Sequence, residues 1–139
     1  MKKKKNILVL IITTVGLAAL TISGSTLAQQ AGIKFTNLHR YDLSAPGHKV
    51  VQKRMDMDPR VLSPRHTHPG EEIIYVLEGA PEYQLEGKPL VTINAGDFLF
   101  IPVGVIHTTK NVGGSNVAEL ANYVVEKRKP PQIPARQTP

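Results

Sequence analysis

The sequence contains no cysteine. A disulfide framework, a redox thiol, an iron–sulfur cluster and a thiolate zinc site are thereby excluded. Net charge is also smaller than the totals suggest. The 139 residues carry 17 Lys or Arg against 11 Asp or Glu, a net +6. Four of those lysines are Lys2, Lys3, Lys4 and Lys5, and without them the balance is 13 to 11. The isoelectric point of about 9.7 is thus mostly a property of the N-terminus, and no nucleic-acid partner is expected. Helical periodicity of useful length is missing, as is any internal repeat. No apolar run after residue 28 is long enough to cross a bilayer. A two-domain dehydrogenase or a β/α barrel enzyme does not fit in this length.

Residues 1–28 predict a signal peptide. The four lysines precede an apolar run from Ile7 through Ile22, and small or polar residues lead to Leu27-Ala28 before Gln29. A positive start, a short apolar core and a small residue at the cut site mark export. The expectation is cleavage after Ala28 and a periplasmic or secreted protein with no membrane span after cleavage. A single domain is then expected over 29–126, with a basic, proline-rich tail over 127–139.

Eleven prolines and eleven glycines punctuate the chain into short segments. An edge strand is predicted around Ile33–Leu38, then strands over Lys49–Met57 and Val61–His68, the latter interrupted at Pro64. Glu72–Glu78 is apolar at nearly every position and reads as a strand buried on both faces. Glu82–Leu85 reads as shorter and more exposed. Leu90–Ile93, Phe98–Ile101, Val105–Thr109 and Val117–Val125 complete about eight strands, with turns every few residues. Such spacing predicts an all-β sandwich or barrel. Pro130, Pro131 and Pro134 argue against sheet interior beyond Lys127, so 127–139 is expected as a tail, an arm across a partner subunit, or disordered.

The sharpest local signal is Arg65-His66-Thr67-His68-Pro69-Gly70-Glu71-Glu72. Strand residues two apart share a face, so His66 and His68 point the same way. The Pro-Gly turn returns the chain and brings Glu72 alongside, with Glu71 facing away. His107, after the Pro102-Val103-Gly104 bend, is a fourth candidate. Imidazoles with a carboxylate suit Mn, Fe, Co, Ni, Cu or Zn, and an all-oxygen calcium site is not indicated.

These residues resemble the two motifs of the cupin superfamily. His66, His68, Glu72 and Gly79 match the latter part of the first motif, whose opening glycine is replaced here by Arg60. Gly96, Pro102, Gly104, His107 and Asn111 match every element of the second. The motifs and their spacer cover 60–111. The resemblance implies an all-β cupin jelly-roll β-barrel, the double-stranded β-helix. It implies that His66, His68, Glu72 and His107 ligate one divalent transition metal per chain, of unspecified identity. Each imidazole then needs its second nitrogen satisfied by a carbonyl, acid or water. A homodimer is expected, because cupins commonly pair and the apolar strands need cover.

A small barrel would hold its ligand among inward side chains, expected here to be largely apolar. The leading functional expectation is a secreted metal-dependent dioxygenase acting on a small phenolic or dicarbonyl compound, as in quercetin-dioxygenase-like cupins. The alternative is a non-catalytic module that binds or senses a small ligand. No acid or base separable from the ligands stands out in the sequence. Asn111 is expected to anchor its loop, and Tyr75, Tyr83, Phe98, Phe100 and Tyr123 to wall a pocket, pack the core or form an interface.

Overall fold

The computed structural model describes residues 30–136; the predicted signal peptide therefore lies outside the described residues. Ten strands follow one another: β1 (Ile33–Asp42), β2 (His48–Met57), β3 (His66–Thr67), β4 (Glu71–Glu78), β5 (Glu82–Leu85), β6 (Val91–Thr92), β7 (Phe98–Ile101), β8 (His107–Lys110), β9 (Val117–Glu126) and β10 (Ile133–Pro134). All pairings are antiparallel. No helix among the described residues is long and apolar enough to cross a membrane.

The strands form two five-stranded sheets. One has the order β1-β2-β9-β4-β7 and the other β10-β3-β8-β5-β6. This corrects the expected closed β-barrel. No ladder joins the two sheets among the described residues, and each keeps two free edges. The fold is an all-β antiparallel sandwich of cupin-like layout. Its second sheet is built from short pieces, with only two residues in β3, β6 and β10, too short to carry hydrogen bonding around a corner.

Alternation sets the interior. On β4, Glu72, Ile74 and Val76 are buried while Ile73, Tyr75 and Leu77 are 40, 44 and 39 % exposed. Within one chain β4 has one inward face, and its outer apolar residues lie open. The short strand β5 is less exposed than expected, because Tyr83 and Leu85 are core residues. They pack with Ile74, Val76, Ile93 and Ile101 across the two sheets. A second cluster joins Ile33, Met55, Met57 and Val117 near the start of β1.

Three local features hold the site's strands in place. Gly70 sits so close to β9 that a Cβ there would meet the Val124 carbonyl oxygen at 1.9 Å. Only glycine lets the Pro69-Gly70 turn pack down and start β4 at Glu71. Asn111, fully buried, donates to the carbonyls of Met57, Asp58 and Ser115 and accepts from the Gly113 N–H. It anchors its loop as expected. Arg60, where the cupin motif has glycine, holds a φ of 66° and is the one non-glycine residue with positive φ among those described. The motif's glycine therefore reports a left-handed turn that this chain builds with arginine, at a steric cost of about 1–2 kcal/mol.

The described part of the tail folds back on its own chain. Lys49 donates to the carbonyls of Lys127 at 2.7 Å and Lys129 at 2.9 Å. Ile133 and Pro134 then pair with Thr67 and His66 of the same chain. Pro134 is tolerated because β10 is an edge strand, where a missing N–H leaves no ladder bond unmade.

Candidate metal centre

His66 lies on β3, His68 follows it, Glu72 lies on β4 and His107 on β8. The register places His66 directly opposite His107. Ligand atoms of His66, His68 and His107 fall within 4.8 Å of one another, and all three side chains are buried. The local sequence accounts for this. His66 enters on the inward face, the Pro69-Gly70 turn folds β4 back, and the Gly104 N–H bonds the His68 carbonyl at 3.0 Å, which draws the bend before His107 against the first histidine pair.

Each imidazole is held by its Nδ1. His66 Nδ1 lies 2.8 Å from the Pro64 carbonyl, His68 Nδ1 2.6 Å from the Pro131 carbonyl, and His107 Nδ1 3.1 Å from the Val105 carbonyl. A carbonyl only accepts, so each Nδ1 carries a hydrogen, which leaves Nε2 as the ring nitrogen that can ligate a metal. Burial, with the neighbouring His107 ring, holds the His66 imidazole down at about 4. It is therefore neutral near pH 7, the form that coordinates a metal.

Glu72 lies against two of these histidines, although the group whose ligand atoms converge is the three histidines alone. Glu72 Oε2 lies 2.8 Å from His68 Nε2 and 3.3 Å from His107 Nε2. Burial pushes this carboxyl up, but the His107 and His68 groups beside it outweigh that and leave it at about 2. Neither His68 Nε2 nor Glu72 Oε2 has a partner in hydrogen-bond geometry, although both are buried. Buried polar atoms seldom stay unsatisfied, and a cation among them would serve both. A set of imidazole nitrogens fits a divalent transition metal. The three histidines form a site capable of coordinating such an ion.

The cluster opens on a cavity of about 270 Å³ between the sheets. Its wall includes His66, Glu72 and His107, with Lys53, Tyr83, Glu119 and Tyr123. The wall is largely apolar, as expected, with Ile33, Phe35 and Met55 in it, and two acids, two phenols and a lysine share it. Of the aromatic candidates, Tyr83 and Tyr123 line the cavity, whereas Tyr75, Phe98 and Phe100 lie on the outer surface. His39 and His48 are exposed and lie apart from the metal cluster.

Two residues of the site escaped the sequence reading. Pro131 lies in the tail yet supplies the acceptor for His68, and only its backbone takes part. Glu119 sits buried in β9, where its Oε2 accepts the Tyr83 hydroxyl hydrogen. Parity could have found it, because Glu119 alternates in step with Val117, Ala121, Tyr123 and Val125, all inward and buried.

Comparison with known proteins agrees with the fold. The family model described as a cupin domain matches residues 53–125, just over half of the chain. A probable germin-like protein of Arabidopsis thaliana, subfamily 2 member 5, is 37 % identical over 79 residues, 53 % of this chain and 37 % of that protein. The dimethylsulfoniopropionate lyase DddQ of Ruegeria pomeroyi is 43 % identical over 47 residues, 34 % of this chain and 23 % of the lyase. The chain thus spans well under half the length of these relatives. The crystal structure of the same lyase superposes with a TM-score of 0.56 at 26 % identity, over 62 % of this chain and 43 % of the other. Recombinant oxalate oxidase in complex with glycolate superposes with a TM-score of 0.60 at 23 % identity, over 76 % of this chain and 56 % of the other, a likeness of fold.

Proposed function

The chain belongs to the cupin family, and on that footing we propose that it is a metal-dependent enzyme acting on a small oxygen-bearing compound. His66, His68, His107 and Glu72 would hold one divalent transition metal. The substrate class is a phenolic or dicarbonyl compound that chelates through two oxygens, and a dioxygenase of the quercetin-dioxygenase-like kind is the leading reaction. Once bound, the ion supplies Lewis acidity toward chelating oxygens and, if redox-active, an electron source for dioxygen.

The observation that carries this reading is the orientation of the three imidazoles. Each has its Nδ1 on a backbone carbonyl, and the ligand atoms converge beside a cavity. A structural site would be closed, whereas catalysis needs room beside the ligands. The chain's own groups bind and orient the substrate: Tyr123 and Tyr83 wall the cavity with polar tips, and Met55, Ile33 and Phe35 exclude water from its other side. Export to a periplasm or the medium is part of the same proposal, resting on residues 1–28.

Metal content by mass spectrometry on the exported protein, with His66→Ala and Glu72→Ala beside it, tests the site. One metal per chain, lost in both variants, is the expected result, followed by oxygen uptake with a flavonol or a diketone. A folded wild type that takes up no metal on reconstitution overturns the proposal and leaves a non-catalytic binding module. A metal-loaded protein that binds a diketone without consuming oxygen removes only the dioxygenase step.

A further inference from the structure

Strand β9 carries two acids, Glu119 and Glu126. Glu126 is exposed and pairs with Lys129 at 3.2 Å. Glu119 is 3 % exposed, and no cation lies within ion-pair distance of it among the described residues. Tyr83, on the opposite sheet and equally buried, donates its hydroxyl hydrogen to Glu119 Oε2. Both line the cavity that holds His66, Glu72 and His107, yet neither belongs to the histidine cluster. A buried carboxyl without a counter-charge is costly unless it keeps its proton. Nothing in the packing of β9 requires an acid here, since the neighbouring inward positions are Val117 and Ala121.

We propose that Glu119, positioned by Tyr83, is the proton-transferring residue of this cavity and acts on the carbon next to a carbonyl of the bound ligand. The proposal rests on the reading of the histidine cluster as a site for an oxygen-chelating ligand. In the forward step the ligand's C–H bond breaks and its proton goes to a Glu119 carboxylate oxygen, forming O–H. The C–H electron pair becomes the carbon–carbon double bond of an enolate, and the carbonyl π pair moves to oxygen, which carries the negative charge. In the reverse step Glu119 returns the proton to carbon, and its carboxylate keeps the Tyr83 hydrogen bond. No oxidant or reductant is consumed. The cavity is thereby suited to enolisation, the opening step of isomerase and lyase chemistry.

Burial pushes the Glu119 carboxyl up to about 8, the Tyr83 bond draws it down, and the Glu72 charge raises it again. Both protonation forms are therefore populated near neutral pH, which suits acid–base work. The groups facing it are Tyr83 on β5, Glu72 on β4, Lys53 on β2, His66 on β3, His107 on β8 and Tyr123 on its own strand.

The probe is pyruvate in heavy water with zinc-loaded full-length protein, and mass spectrometry reads deuterium entering the methyl group. Wild type is expected to exchange above the zinc-and-buffer rate. Glu119→Gln should lose about 100-fold or more of that rate, with zinc content and pyruvate affinity close to wild type and a melting temperature no lower. Carbon-13 NMR of glutamate-labelled protein gives a second readout that needs no turnover. One carboxyl should titrate near pH 8, vanish in Glu119→Gln and move upward in Tyr83→Phe, which loses the bond that favours the carboxylate. Exchange in Glu119→Gln within about threefold of wild type overturns the proposal, as does a Glu119 that titrates with the surface acids. One zinc per chain with pyruvate bound but no exchange removes the role of Glu119 and leaves the metal reading intact. Absence of zinc, with no other divalent transition metal taken up on reconstitution, overturns both.

Discussion

Removing the last ten residues should weaken metal binding although none of them is a ligand. Deletion of 130–139 takes away the Pro131 carbonyl that holds His68 Nδ1 at 2.6 Å, together with β10 and the Ala135 N–H bond to Arg65. His68 is 2 % exposed, so its ring would lose both its orientation and its dry setting. Loss of such a supporting partner typically costs about 10–100-fold in metal affinity. That range corresponds to about 1.4–2.8 kcal/mol. The apoprotein loses a few edge hydrogen bonds as well, at about 1 kcal/mol each. Zinc affinity, measured by competition with a chromophoric chelator at fixed pH, should therefore fall by at least tenfold while the apoprotein stays folded. Pro131→Ala keeps the carbonyl and should stay within about threefold of wild type. Equal affinities for the full-length and truncated chains would refute the argument that the tail orients His68. Equal weakening in both variants would assign the effect to the proline ring instead.

Asn111→Ala strands three carbonyls and one N–H inside the sandwich, so urea denaturation should show a loss of about 3 kcal/mol or more; a loss under 1 kcal/mol would contradict the anchoring role. Folded Glu119 keeps its proton up to about 8, whereas the unfolded chain releases it near the ordinary 4.5. Its contribution is complete below pH 4.5 and is lost as pH rises through 8, so Glu119→Gln should gain on wild type by a few kcal/mol between pH 5 and 9, and a pH-independent difference would be the contrary result. The homodimer is a proposal that rests on the outer face of β4 and β7, where Ile73 opposes Phe100 and Tyr75 opposes Phe98 at 40, 50, 44 and 71 % exposure. Sedimentation should show a dimer that Phe98→Ser with Phe100→Ser turns into a monomer, and a wild type that is monomeric at micromolar concentration would remove it.

The legibility of this molecule divides along the range of its interactions. His66 and His68 could be read together because period-two alternation and the Pro69-Gly70 turn are local. Two of the three Nδ1 acceptors, Pro64 and Val105, likewise lie two residues before their histidines. Pro131 lies 63 residues from His68 and contributes only a carbonyl, which every residue has, so no side-chain pattern could mark it. Barrel closure was illegible for a related reason. Alternation says which face of a strand is buried, but pairing at a sheet edge depends on strand length, and two-residue pieces such as β3 and β6 carry almost no sequence pattern.

The two buried acids show why the chemistry of a site exceeds its residue list. Glu72 and Glu119 are the same side chain, both inward, both lining one cavity. Burial alone would drive each carboxyl upward. Beside His107 and His68, Glu72 ends at about 2 and offers a charged oxygen against both rings. Beside a neutral phenol, and facing the Glu72 charge, Glu119 ends at about 8. One acid is therefore suited to a cation's neighbourhood and the other to carry a proton, and the difference comes from His68 just after β3, His107 on β8 and Tyr83 on β5. Exchanging those surroundings should exchange the roles: in His68→Phe with His107→Phe, Glu72 loses the groups that draw it down. Its carboxyl should then titrate well above 2 in a glutamate-labelled NMR experiment. A Glu72 that stays fully ionised to low pH in that variant would show that the histidines do not set its charge.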